Sequence, residues 1–165
     1  MTRRAARLIA PLLVCVFAAL AGCGRGEPTQ GTAQTAAPSE PTSSDLGEFQ
    51  LHYNAVRTDA LTPAVARAYG IERSANRVLL NVSLLRKNAD GTTSAADGKV
   101  TATAYNLTGQ TKGLTMRRIT EGSSIYYIGE VGISGNEILV FDIDVVPPGE
   151  NTRHTVQFKR EFYAD

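Results

Sequence analysis

From Leu46 onward, apolar and polar residues alternate with a period of two, the mark of half-buried strands. Phe49, Leu51 and Tyr53 alternate with Gln50, His52 and Asn54. Val100, Ala102 and Ala104 alternate with Thr101, Thr103 and Tyr105. The same rhythm recurs at Ile125 and Tyr127, at Leu139, Phe141, Ile143 and Val145, and at Val156, Phe158 and Phe162. Turn residues punctuate it: Asp90-Gly91, Asp97-Gly98, Thr108-Gly109, Glu121-Gly122, Gly135-Asn136 and Pro147-Pro148-Gly149. Seven strands are predicted, near residues 47–57, 76–87, 99–107, 112–120, 124–133, 137–146 and 153–163. Val78 to Leu85 is continuously apolar except for Asn81 and Ser83, which predicts a central strand covered on both faces.

One short helix interrupts the alternation. Thr62 is a capping residue, Pro63 suits the first helical position, Ala64 to Tyr69 are mostly good helix formers, and Gly70 suits a left-handed stop. A helix under three turns depends on packing, here expected from Leu61, Val65 and Tyr69. Seven antiparallel strands and one short helix predict an all-β, immunoglobulin- or fibronectin-like sandwich. The chain contains no Trp, so the Cys–Trp–Cys core of antibody domains is missing and only the architecture is implied.

The pattern before Leu46 is different. Arg3, Arg4 and Arg7 precede an apolar run from Leu8 to Leu20, which describes an export signal over residues 1–22. The run is too short to cross a ~30 Å hydrocarbon core. Arg3-Arg4 raises a twin-arginine signal, but Ala5, Ala6 and Arg7 lack the apolar residues that should follow, which favours ordinary export. Leu20-Ala21-Gly22-Cys23 resembles the lipobox of bacterial lipoproteins, in which the Cys is acylated and becomes the first mature residue. Cys15 reads as a packing residue that leaves with the signal. Gly24, where an Asp would hold a lipoprotein at the inner membrane, points to the outer membrane facing the periplasm if the cell is Gram-negative.

Gly24 to Asp45 contains no aromatic or branched aliphatic residue and is expected to be a disordered tether. Random-coil scaling gives it a mean reach of roughly 25 Å. The domain is then expected over residues 46–165, with 13 basic and 13 acidic side chains. The full chain carries 17 basic and 16 acidic residues; three arginines leave with the signal, so 14 basic face 16 acidic. That balance argues against nucleic acid as a partner.

Several blocks resemble the bacterial family known as Domain of Unknown Function 4426. They are Leu61 to Ile71 with Arg73-Ser74 and Asn76-Arg77, Asn106 to Gln110, Glu121-Gly122, Ile125 to Glu130, and Phe162-Tyr163. The resemblance spans Leu46 to Asp165. It implies a small exported protein, mostly β, without an assigned activity. It also implies an ordinary cleaved signal close to the domain, from which the lipobox and long tether depart.

Candidate chemistry is sparse. Arg67, Tyr69, Arg73, Asn76 and Arg77 form the richest polar group, read either as an anion or carboxylate pocket or as ties between helix and sheet. His52 and His154 are the only imidazoles, each available to a hydrolytic site or to a plain structural role. Asp142 and Asp144 share a strand face, but calcium needs more oxygens than they supply. Of Tyr126 and Tyr127, one should face the core and the other outward. No phosphate loop, Gly-x-Ser-x-Gly elbow or metal spacing occurs, so no catalytic group, metal or cofactor is expected. The preferred expectation is a binding module held to the membrane by Cys23 and contacting an envelope protein or small ligand. A periplasmic hydrolase using His52 or His154 and a purely structural envelope protein are the alternatives.

Overall fold

In the computed structural model, which describes residues 42–163, the alternating apolar sets all point inward. Phe49, Leu51, Tyr53, Ala55, Val78, Leu80, Val82, Leu84, Leu139, Phe141, Ile143, Val145 and Phe158 form one buried cluster between two antiparallel sheets. The strands are β1 (Ser43–Leu46), β2 (Phe49–Arg57), β3 (Arg77–Lys87), β4 (Thr93–Ala95), β5 (Lys99–Asn106), β6 (Thr111–Lys112), β7 (Arg117–Glu121), β8 (Ser124–Gly132), β9 (Glu137–Val146) and β10 (His154–Phe162). The larger sheet runs β1-β2-β3-β8-β7, with β4 pairing beside β3. The smaller runs β10-β9-β5-β6. This is the expected sandwich, with three strands shorter than the period-two signal resolves.

Two boundaries differ from the sequence reading. The stretch near residues 112–120 is not one strand. β6 pairs with β5 in the smaller sheet, while β7 pairs with β8 in the larger, so the chain changes sheets between Lys112 and Arg117. At the other end, the sheet begins at Ser43, inside the segment expected to be tether. Ser43 to Leu46 pair with Phe49 to His52, the Ser44 hydroxyl meets the Tyr53 hydroxyl at 3.2 Å, and the Lys87 ammonium donates to Asp45 at 2.9 Å. Backbone pairing orders a polar segment that side-chain composition alone would leave free. Cys23, the signal and the tether to residue 41 lie outside the described residues.

The helix α1 (Pro63–Tyr69) follows a short 3-10 turn at Thr58–Ala60. The Val65 N–H donates to the Thr62 hydroxyl at 3.3 Å, Pro63 opens the helix, and Gly70 closes it at φ 63°. That left-handed angle suits glycine, which has no Cβ to clash. Packing differs from expectation in one residue: Ala66, not Val65, is buried, with Ile71, Leu79 and Ile128. Leu61 and Tyr69 pack at the margin, and Val65 stays 39% exposed. Leu79 thus gives β3 its second covered face.

Tyr127 and Asp97 fasten the β4–β5 loop to the larger sheet. The buried phenol donates to Asp97 Oδ1 at 2.8 Å, and Arg118 Nε donates to the same oxygen at 3.0 Å. Burial, then the Asp97 carboxylate, pushes the Tyr127 hydroxyl up to about 12. An unfolded tyrosine ionises near 10, so above that pH the unfolded state has released a proton that the folded state keeps. Stability should therefore be full below pH 10 and be lost as pH rises through about 12. Denaturant midpoints across that window check this, and Tyr127→Phe should flatten the decline.

Candidate functional site

The polar group around the helix disperses into scaffold bonds. Arg73 Nη2 donates to the Asp59 carbonyl at 2.6 Å. Arg77 lies between Glu130, at 3.4 Å, and Glu72, at 3.5 Å. The Asn76 N–H donates to the Ser74 hydroxyl at 3.1 Å, and its carbonyl accepts from Ile133 N–H at 2.9 Å. Arg67 is exposed in the last turn of α1. None of these four borders the hollows described below. Tyr69 turns elsewhere: its hydroxyl donates to Glu121 Oε2 at 2.6 Å, a bond that, ahead of burial, raises its pKa. Its carbonyl accepts from Arg117.

The other candidates are separate. His154 Nε2 meets Glu150 Oε2 at 3.0 Å in the turn before β10. Nucleophilic catalysis would also need a hydroxyl or thiol on that imidazole, and none bonds to it among the described residues. His52 lies half-buried on β2, opposite Ser83. Asp142 accepts from Gln157 at 2.7 Å and Asp144 from Thr155 at 2.6 Å, which makes them rungs between β9 and β10. No group of three or more metal-ligating side chains converges among the described residues.

A different concavity lies on the outer face of the larger sheet. Asn54, Asn81, Ile128 and Arg117 sit directly opposite one another across β2, β3, β8 and β7 and so share that face. α1 covers only one end of it. Leu61, Val65 and Tyr69, spaced four apart, present one side toward Leu79, Ile128, Ile119 and Tyr126, and a groove of about 260 Å³ remains between them. Its surroundings are apolar apart from Asn81 and the hydroxyls of Tyr69 and Tyr126. The Asn81 Oδ1 is shielded from water and accepts no hydrogen bond, a condition that is uncommon and costly in a folded protein.

Polar ground lies beside the groove. Tyr126 also borders a trough of about 550 Å³ that includes Ser83, Thr93, Ser94, Ser123 and Ser124. Asn81 and Ser83 also border a shallower hollow of about 230 Å³ beside His52 and Asn54. Of the five residues singled out from sequence, only Tyr69 belongs here. A signal for the rest was present: Asn81 and Ser83 interrupt the apolar run of β3 on the face that carries Leu79. Read alone, they look like ordinary solvent-facing positions.

A family model described as "Domain of unknown function (DUF4426)" matches residues 43–165. Among solved structures, a DUF4426 family protein from Pseudomonas aeruginosa is similar at 33% identity and a TM-score of 0.64, over 76% of this chain and 96% of that one. A copper-bound variant of FetP from uropathogenic Escherichia coli is similar at 15% identity and a TM-score of 0.53, over 73% of this chain and 93% of that one. The second likeness is one of fold alone. No curated protein matches.

Proposed function

The chain belongs to the DUF4426 family, whose function is unknown, and from that footing we propose that it is an envelope binding module without chemistry of its own. In this reading Cys23 is acylated after cleavage of residues 1–22, and the tether holds the domain off the membrane, the outer one if the cell is Gram-negative. Support for the anchor is the sequence Leu20-Ala21-Gly22-Cys23. More than one acyl chain on that thiol gives stable attachment, at ~0.8 kcal/mol per buried methylene. No helix among the described residues is long and apolar enough to cross a membrane.

The observation that carries the binding role is the open apolar groove beneath α1, bordered by Leu61, Val65, Leu79, Ile119 and Ile128. Pockets of this kind, largely apolar with a few polar groups, are the default form of a binding site. The test uses the full chain purified from membranes. Its intact mass should show a modified Cys23 as the first residue. Prodan, a naphthalene fluorophore without N–H or O–H groups, should bind saturably above a protein-free detergent blank. Val65→Glu, at the exposed lip of the groove, should weaken that binding about tenfold or more, because a carboxylate would be desolvated there. An unmodified thiol would overturn the anchor. Absence of saturable binding, or binding indifferent to Val65→Glu, would overturn the site.

A further inference from the structure

The larger sheet divides at the trough beside Tyr126. β8 pairs with β3 from Gly132 back to Tyr127, opposite Arg77 to Val82, and then leaves it. Beyond that point β4 takes its place, with Ala95 opposite Leu85 and Thr93 opposite Lys87. In an antiparallel ladder, successive residues turn their N–H and C=O to alternate sides. The Ala96 N–H donates to the Leu84 carbonyl, and the Asn88 N–H to the Thr92 carbonyl. The even-numbered residues in and around β4 therefore face β3, and Thr93 and Ala95 turn their main-chain groups away from it. On β8 the odd-numbered residues face β3, as the Ile133 N–H bond to the Asn76 carbonyl requires. Ile125 keeps that orientation past the end of the pairing. Thr93, Ala95 and Ile125 all border the trough of about 550 Å³, and among the described residues no strand pairs with them across it.

An open edge is a template for another strand, and proteins close such edges with charged side chains or proline. Among the described residues, the other strands at the sheet edges each carry a charge: Asp45 on β1, Lys112 on β6, Arg117 on β7 and Lys159 on β10. The free stretch of β2 is covered by Arg160, which donates to the Ala55 carbonyl at 2.7 Å. β4 carries only Thr93, Ser94 and Ala95, and no residue bordering the trough is charged. Its outward main-chain groups recur every two residues, about 7 Å apart. One edge of an extended polypeptide repeats donor and acceptor at that same interval, whereas the hydroxyls of a sugar chain do not. We infer that β4 is a docking edge, to which an extended, uncharged segment of a partner polypeptide adds as a strand and exchanges main-chain hydrogen bonds with Thr93 and Ala95. This surface is distinct from the groove beneath α1 and does not depend on it.

Main-chain recognition tolerates many sequences, so a generic strand-forming probe suffices. Fluorescein-tagged Thr-Val-Thr-Val-Thr is titrated with the full chain and followed by anisotropy, with the free dye as blank. A saturable rise is expected. The untagged peptide should displace the probe, and the same peptide methylated on its three central peptide nitrogens should compete about tenfold more weakly or worse, because it has lost donors on both edges. Chitotetraose, a neutral glycan, should not compete. Ala95→Pro removes an N–H that β3 does not use, a position where an edge strand accepts proline. It should keep a cooperative melting transition and weaken the peptide about tenfold or more. Thr93→Lys, at an exposed position, should weaken it about fivefold or more by charging the edge, and decides the matter if Ala95→Pro does not fold.

Absence of a saturable rise would overturn the docking edge. Equal competition by the methylated peptide would overturn main-chain pairing, and displacement by chitotetraose would assign the trough to a glycan instead. Unchanged peptide affinity in a folded Ala95→Pro, or in Thr93→Lys, would place the peptide elsewhere on the protein and overturn the assignment to β4. Prodan binding in the groove is unaffected by any of these outcomes.

Discussion

Phe141→Ala should destabilise the domain by about 3–5 kcal/mol, the usual cost of deleting a buried aromatic ring. Phe141 is fully buried on β9. Its ring stacks on Phe158 of β10, centroids 5.0 Å apart and planes 15° from parallel. Phe158 in turn meets Tyr53 of β2 at 4.8 Å. The three rings run from the smaller sheet to the larger, so removing the first opens a cavity at the joint between layers. Pairing of aromatic rings adds about 0.5–1.5 kcal/mol beyond area burial. Against a typical total of 5–15 kcal/mol, that is about a fifth of the stability or more. A fall in melting temperature of roughly 10–20 °C follows for a domain of this size. Urea unfolding should show a lower midpoint at an unchanged slope. Leu107→Ala, at a site 66% exposed, should stay within about 0.5 kcal/mol. A loss under about 1 kcal/mol for Phe141→Ala would mean that the rings are not what joins the sheets.

The core was legible because its physics is local. Each inward residue of β2, β5, β9 and β10 follows from a side-chain period of two, and no tertiary information is needed to see it. The helix was legible for the same reason, since Thr62, Pro63 and Gly70 each act within one turn. What the sequence hid depends on where separate segments meet. Lys112 and Ile119 lie in one apparently continuous stretch, yet their strands join different sheets, and only the pairing partners distinguish them. Ser43 to Asp45 have the composition of a linker and are held by backbone bonds to β2 that composition does not register. The candidate site shows the same division. Arginines close in sequence drew attention as a cluster, but their forks reach Asp59, Glu72 and Glu130 in different directions. The groove draws on Leu61, Leu79, Asn81, Ile119 and Tyr126, which span four separate segments and come together only when α1 folds across β3 and β8.

The same crossing between sheets sets the second large effect, at Gly129. Between β6 and β7, the edge strands of the two sheets, the chain carries Leu114, Thr115 and Met116 across the side of the sandwich, and the two apolar side chains pack against the core. They can do so because β8 presents a glycine there. A Cβ at residue 129 would stand 2.6 Å from Leu114 Cδ1, 2.8 Å from Met116 Sδ and 3.0 Å from the Thr115 carbonyl oxygen. The two side-chain ends can rotate away, whereas the carbonyl belongs to the backbone of the crossing segment and moves only with it. Replacing a strand glycine by alanine would by itself gain about 0.5–1 kcal/mol of chain entropy. Overpacking a filled core costs typically 1–3 kcal/mol, so the balance for Gly129→Ala is a net loss of about 1–2 kcal/mol. Gly129→Val adds two methyl groups against the same carbonyl and should reach about 3 kcal/mol or more. Because the crossing segment must lift, hydrogen exchange should quicken first at Ile119 and Thr120 in β7, ahead of global unfolding. If Gly129→Val leaves both the unfolding midpoint and the exchange of β7 unchanged, the crossing segment does not lie against β8 in solution.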